Sequence, residues 1–180
     1  MNRKTLLVAA ACLPAMALGN PAAAPAQDAA TPGKANLAVD SDDGIRYYNS
    51  DGAPTFKIEA DGTVDWPTFS GFRRYHAECH VCHGPDGEGS TYAPALKASV
   101  MKMEYGDFLA VVAGGRQKVG ASENSVMPAF GTNKNVMCYV DDLWTYLRAR
   151  GSEELPRGRP AKRADKSEPY AEAEKACMDG

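Results

Sequence analysis

Apolar positions recur at helical spacing in three places along the chain. Phe69, Phe72 and then Tyr75 to Cys79 follow Pro67, which can open a helix at its first turn, and predict a helix running into residue 79. Phe108, Leu109 and Val112 predict a second over Tyr105 to Ala113, stopped by Gly114-Gly115. Val136, Tyr139, Val140, Leu143, Tyr146 and Leu147 form the stripe of a third, from about Asn133 to Arg148 and ending near Gly151. Between Ile45 and Trp66 the period shortens. Ile45 to Tyr48, Phe56 to Ile58 and Thr63-Val64 are separated by Asp51-Gly52 and Asp61-Gly62, which are hairpin turn signals, so a small β-ribbon is expected. Gly84 to Gly89 is too rich in Gly and Pro for a regular element. Arg116 to Gly131 shows no periodicity and reads as a long irregular stretch holding Met127-Pro128.

The two ends differ from this middle. Arg3 and Lys4, an apolar run from Thr5 to Leu13 and small residues through Ala24 have the layout of a secretory signal. Residues 1–26 are therefore read as signal and start of leader, with cleavage after Gly19 or after Ala26 left open. Cys12 would leave with the signal, or carry a lipid. The apolar run is too short for the roughly 20 residues of a membrane span, so no stable span is expected and the mature protein is placed in the periplasm. Residues 27–65 are leader and β-ribbon, 66–150 the folded domain, and 151–180 an extended polar tail too hydrophilic to fold alone. The chain carries a formal charge of −3, more negative once Arg3 and Lys4 are gone, which argues against nucleic acid as a partner.

Cysteine changes the picture most. Without Cys12 four remain, and two of them stand in Cys79-His80-Val81-Cys82-His83. Thioether attachment of haem needs two thiols that reach neighbouring vinyl groups and a histidine directly after the second, so that its ring falls under the iron. Cys-x-x-Cys-His supplies that spacing. Zinc would ask for a second Cys or His cluster, and a redox dithiol for a βαβ context; neither is present in the sequence. Cys138 and Cys177 are left over in an oxidising compartment, where a disulfide between them would tether the tail.

His83 is then the expected axial ligand of one haem c. His76 and His80 lie on the same stretch and cannot easily cross to the opposite face, which leaves methionine. Met127 is the candidate because it precedes Pro128 in a segment free to cross the haem, whereas Met137 falls in the last predicted helix; Met101 and Met103 stay open. A thioether favours the ferrous state relative to a second histidine and fills the last coordination position, which suits electron exchange. The Pro94 carbonyl is a candidate acceptor for the His83 ring N–H, or Pro94 is a plain turn residue. Arg116 with Trp66 or Trp144 are candidates for the propionates. Arg73, Arg74, Lys97, Lys102, Arg116 and Lys118 form either a docking patch or an ordinary solvated face.

Gly71-x3-Tyr75-x3-Cys79-x2-Cys82-His83-Gly84, then Ala93-Pro94-x-Leu96, Met127-Pro128-x-Phe130 and Leu143-x2-Tyr146 resemble the class I cytochromes c over about Trp66 to Arg150. The resemblance implies an all-α fold in which Gly71 and Tyr75 of the first helix cross Leu143 and Tyr146 of the last. The runs Phe69 to Gly87, Tyr105 to Phe108, Val111 to Gln117 and Asn135 to Tyr139 are similar to the four-cysteine, methanol-metabolism-related cytochromes c. Members of that group accept electrons from lanthanide-dependent, pyrroloquinoline-quinone methanol dehydrogenases of the periplasm. The implied role is an electron carrier and not an enzyme, with a quinoprotein methanol dehydrogenase as donor and a downstream cytochrome or oxidase as acceptor. The competing readings are a general periplasmic shuttle and a haem peroxidase or gas sensor, the last of which needs an open sixth position.

Overall fold

Residues 36–120 and 123–180 are described in the computed structural model of the chain; the expected signal and most of the leader lie outside them. The ribbon forms as the turn signals require. Strands β1 (Ser41–Asp42), β2 (Tyr47–Tyr48) and β3 (Pro54–Thr55) pair antiparallel in that order, with Tyr48 opposite Ser41 and Pro54. The Asn49 side chain accepts from the backbone of Asp51 and Ala53 to close the first turn. β4 (Thr63–Val64) folds back across the second, where Val64 bridges Ile58.

Helix α1 (Trp66–Glu78) is capped by Asp65, whose carboxylate accepts from Thr68 N, with Pro67 in the first turn where no N–H is needed. α2 (His80–His83) continues it after a break at Cys79, and a 3-10 turn follows at Pro85–Gly87. α3 (Leu96–Ser99), a 3-10 turn at Val100–Lys102 and α4 (Tyr105–Gly114) lead to two strands, β5 (Arg116–Gly120) and β6 (Glu123–Met127). α5 (Lys134–Met137) and α6 (Val140–Gly151) complete the domain, and β7 (Lys162–Arg163) and α7 (Glu168–Asp179) follow.

The core is the crossing of α1 and α6. A Cβ at Gly71 would run into the Asp142 carbonyl oxygen and lie 2.7 Å from the Tyr146 Cβ, so the crossing needs glycine there. Tyr75, Leu143, Tyr146 and Leu147 are fully buried around it, and the Tyr75 and Tyr146 rings lie 5.5 Å apart. This is the helix pairing that the resemblance implied.

Four expectations are corrected. The stretch 116–131 is not irregular throughout: β5 and β6 pair over five positions, from Arg116 opposite Met127 to Gly120 opposite Glu123. Val119 and Val126 on this hairpin face solvent, so no buried face existed to write an alternating pattern. The last helix is two helices, because Tyr139 leaves helical dihedrals (φ −128, ψ 16) beside the disulfide-bonded Cys138. The tail is not simply extended. β7 pairs parallel with β4, and α7 is capped by Ser167, which accepts from Tyr170 N, with Pro169 in its first turn. Among the described residues helices carry the core, but three small sheets accompany them, so the all-α expectation describes the core alone.

A buried junction anchors the end of the tail. Tyr170 of α7, 2% exposed, donates to the Asp142 carboxylate and also bonds Ser70 of α1 at 2.9 Å. Arg46 of the ribbon reaches the other Asp142 oxygen at 2.9 Å. Burial pushes the Asp142 carboxyl up to about 6 in spite of Arg46 and the Tyr170 and Ser70 bonds. Cys138 and Cys177 are bonded, closing a 39-residue loop worth about 4 kcal/mol in the chain-entropy model. Among the described residues no helix is long and apolar enough to cross a membrane.

Candidate haem site

α1 delivers the first thiol. Cys79 N donates the last helical bond to Tyr75 O, and Cys82 N and His83 N donate in turn to the Cys79 carbonyl, which winds Cys79, Cys82 and His83 into a single turn. Cys79 is half-buried and packs against the core, while Cys82 is exposed; neither is in a disulfide. Burial pushes the Cys79 thiol up to about 12, with the neighbouring Glu78 and Cys82 adding to it.

His83 is 8% exposed, and its Nδ1 lies 3.1 Å from the Pro94 carbonyl oxygen. A carbonyl can only accept, so the bond puts the ring proton on Nδ1 and leaves the Nε2 lone pair available. The chain between these residues is bound tightly. The buried Tyr75 hydroxyl donates to Gly84 O at 2.6 Å and accepts from Gly87 N at 3.0 Å, Gly89 N donates to His83 O at 2.8 Å, and Ser90 Oγ donates to Cys82 O. Gly84 (φ 70, ψ 171) occupies a backbone region open only to glycine, and a Cβ there would strike the Gly89 carbonyl oxygen.

Met127 closes β6, half-buried and packed on the core edge. Phe130 N and Gly131 N donate to Val112 O and Ala113 O, both at 3.0 Å, so the segment after Met127 is laced to the C-terminal turn of α4. Gly115, also in the glycine-only region (φ 71, ψ −175), allows that approach. In the sequence Gly115 stands only as a helix stop, because its second role needs a segment brought in from twelve residues further along. Met101 is engaged elsewhere: its sulfur would lie 2.8 Å from a Cβ at Gly151.

Other candidates separate as well. Trp144 Nε1 already donates to Pro54 O at 3.0 Å, and Trp66 opens the helix whose far end carries Cys79, about 20 Å away at 1.5 Å per residue. Trp144 is thereby engaged, while the Trp66 indole N–H is buried without a partner among the described residues. Of the six basic residues, Lys97 is paired with Glu88 at 2.9 Å and Arg74 stacks on Tyr139 at 3.6 Å, while Arg73, Lys102, Arg116 and Lys118 are exposed. The proposed patch is therefore not one set of free charges.

An acidic cluster holds the loop from its other side. Asp86, 5% exposed and at φ 56, meets Tyr146 OH at 3.3 Å, Gly158 N at 3.1 Å and Arg157 at 3.5 Å. Its carboxyl is held below the usual range: desolvation, the largest single effect, opposes this, but the Gly158 bond and the His76 and Arg150 charges outweigh it together. Buried Arg150 spans to Glu88 at 3.0 Å. The tail is thus part of the scaffold under the attachment loop.

Two thiols on one helical turn, a following imidazole with Nε2 available and a thioether on a separately anchored segment make a donor set that fits haem c. Among the described residues no three His, Cys, Asp or Glu side chains cluster as a zinc site would require.

No protein-family model matches the chain. Cytochrome c-553I of Paracoccus denitrificans is 63% identical over 135 residues, which are 75% of this chain and 60% of that protein, so the chain spans less than two thirds of that relative's length. Cytochrome c-555 of Methylococcus capsulatus is 36% identical over 107 residues, 59% of this chain and 77% of that one. The crystal structure of the c-type cytochrome XoxG from Methylobacterium extorquens AM1 superposes with a TM-score of 0.72 at 50% identity, covering 81% of this chain and 94% of that one.

Proposed function

The chain belongs to the c-type cytochromes, electron-transfer proteins with covalently attached haem c, and from that premise we propose that it is a periplasmic carrier with one haem and the class I fold. In this reading it accepts electrons from a pyrroloquinoline-quinone methanol dehydrogenase, of the lanthanide type, and passes them to a downstream cytochrome or oxidase of the respiratory chain. The signal-like N-terminus supports export, and the similarity to XoxG, together with the resemblance to the methanol-related group, supports the donor.

The observation that carries the electron-transfer reading is the bond between His83 Nδ1 and Pro94 O at 3.1 Å. It orients the imidazole, fixes its tautomer and raises its basicity, as partners of ligating histidines do. Cys79 and Cys82 would hold the haem through thioethers, and His83 and Met127 would hold its iron. When bound there, the haem supplies one-electron chemistry between ferric and ferrous states. Met127, as a soft ligand, favours the ferrous side and raises the potential. The lacing of 130–131 to α4 keeps its thioether in place. A peroxidase or gas sensor would need that position open.

Stopped-flow reduction of the oxidised protein by a lanthanide-loaded methanol dehydrogenase tests the donor, with an unrelated class I cytochrome as control. Fast, saturable reduction that the control does not show is expected; reduction no faster than the control would overturn the assignment of the donor.

A further inference from the structure

The loop from His83 to Lys97 closes on itself at one dipeptide, Glu88-Gly89. Gly89 N donates to His83 O at 2.8 Å. The same residue also lies against the Pro94–Ala95 peptide: a Cβ at Gly89 would be 2.8 Å from Ala95 N and 3.2 Å from the Pro94 carbonyl carbon. Gly89, at φ 87, permits an approach that a side chain would block. Its backbone is therefore bonded to one partner of the His83–Pro94 hydrogen bond and packed against the other.

Glu88 decides where that backbone sits. Its carboxylate meets Lys97 Nζ at 2.9 Å from α3 and Arg150 Nη2 at 3.0 Å from α6, with Arg157 Nε further off at 3.9 Å. Arg150 is 4% exposed and also donates to Leu155 O, so α6 offers a fixed anchor. Lys97 follows Pro94 by three residues, and its ion pair draws the Pro94 segment to that anchor. The Lys97 hydrogen bond, helped by the Arg150 and Arg157 charges, holds the Glu88 carboxyl below the usual range against desolvation. A pair as exposed as this one, 29% and 27% at the side chains, adds little to global stability; what it fixes is the separation of the two halves of the loop.

We propose that Glu88, through its pair with Lys97, is a positioning residue for the axial ligand: it holds the Pro94 carbonyl on the His83 ring and thereby sets the reduction potential. This rests on the reading of His83 as a haem ligand. With the pair broken the ring bond slackens, the imidazole becomes less basic and ferric iron is stabilised less, so the potential rises. Charge alone predicts something different. Removing a carboxylate near the haem raises the potential and removing an ammonium lowers it, whereas loss of positioning raises it in both cases.

The test compares wild-type holoprotein with Glu88→Gln, Lys97→Met and Lys97→Arg by redox titration of the visible spectrum. Proton NMR of the ferrous protein follows solvent exchange of the His83 ring N–H. Glu88→Gln and Lys97→Met are both expected to raise the potential and to speed that exchange severalfold, while Lys97→Arg behaves as the wild type. Glu88→Gln combined with Lys97→Met is expected to shift the potential no further than the larger single effect, since both remove one interaction. The unfolding midpoint of Lys97→Met should stay close to that of the wild type. Opposite shifts of potential in the two single variants, or unchanged exchange in both, would overturn the positioning role while His83 stands as ligand. If the wild type shows no haem-shifted His83 ring N–H, the ligand assignment fails and takes the positioning role with it.

Discussion

Gly115 is pressed against the backbone of Met127: a Cβ at position 115 would lie 2.6 Å from the Met127 carbonyl oxygen and 2.8 Å from Ala129 N. The residue that ends α4 therefore decides how closely the methionine segment can approach that helix.

Gly115→Ala forces a side chain into a backbone region costing about 1–3 kcal/mol and pushes on main chain that has no flexible end to yield. The variant should keep covalent haem but show a weakened far-red methionine-to-iron band in the oxidised spectrum, with denaturation at lower denaturant. An unaltered band would mean that Gly115 does not place Met127.

Tyr75→Phe removes the hydroxyl that bonds Gly84 O and Gly87 N and leaves the Gly87 N–H buried without its partner. A loss of about 1–3 kcal/mol is expected in equilibrium unfolding.

Asp142 gives a pH signature. Its folded value, about 6, lies above the ordinary 3.8, so between them the folded state binds more protons than the unfolded state. Its contribution to stability is present below about pH 4 and is lost as pH rises towards 6, a change of the order of 3 kcal/mol. Asp142→Asn lacks this titration. The stability difference between wild type and variant, measured by denaturant melts at intervals from pH 4 to 7, should shift in the variant's favour and level off above 6. A constant difference would show that Asp142 is ionised throughout.

Cys138→Ser with Cys177→Ser should cost up to about 4 kcal/mol, read as a lower unfolding midpoint. The visible spectrum should not change, because α7 docks on Ser70 and Asp142 and not on the methionine segment.

Much of this was legible in the residues themselves. Asp51-Gly52 and Asp61-Gly62 marked real turns, since hairpin turns depend on local chemistry, whereas the crossing at Gly71 and Tyr75 was implied only by the resemblance to the class I cytochromes c. The partner of His83 was half legible: Pro94 stood in the sequence either as the acceptor or as a plain turn residue, and only the folded loop brings its carbonyl to the ring. The hairpin was not, because Val119 and Val126 face water and leave no alternation to detect. Helix α7 was missed although Ser167-Glu168-Pro169 is a start signal; a single buried Tyr170 is invisible in a polar composition. Trp66 and Trp144 could be separated only once Pro54 was seen at the indole of Trp144.

The proposed role of Met127 as the ligand opposite His83 is tested most directly by the oxidised absorption spectrum of Met127→Ala beside the wild type. The wild type should show the far-red sulfur-to-ferric-iron band; the variant should lose it while its haem stays covalently attached through heat and denaturant. A variant that keeps the band unchanged would contradict the assignment and move the sixth ligand to another methionine.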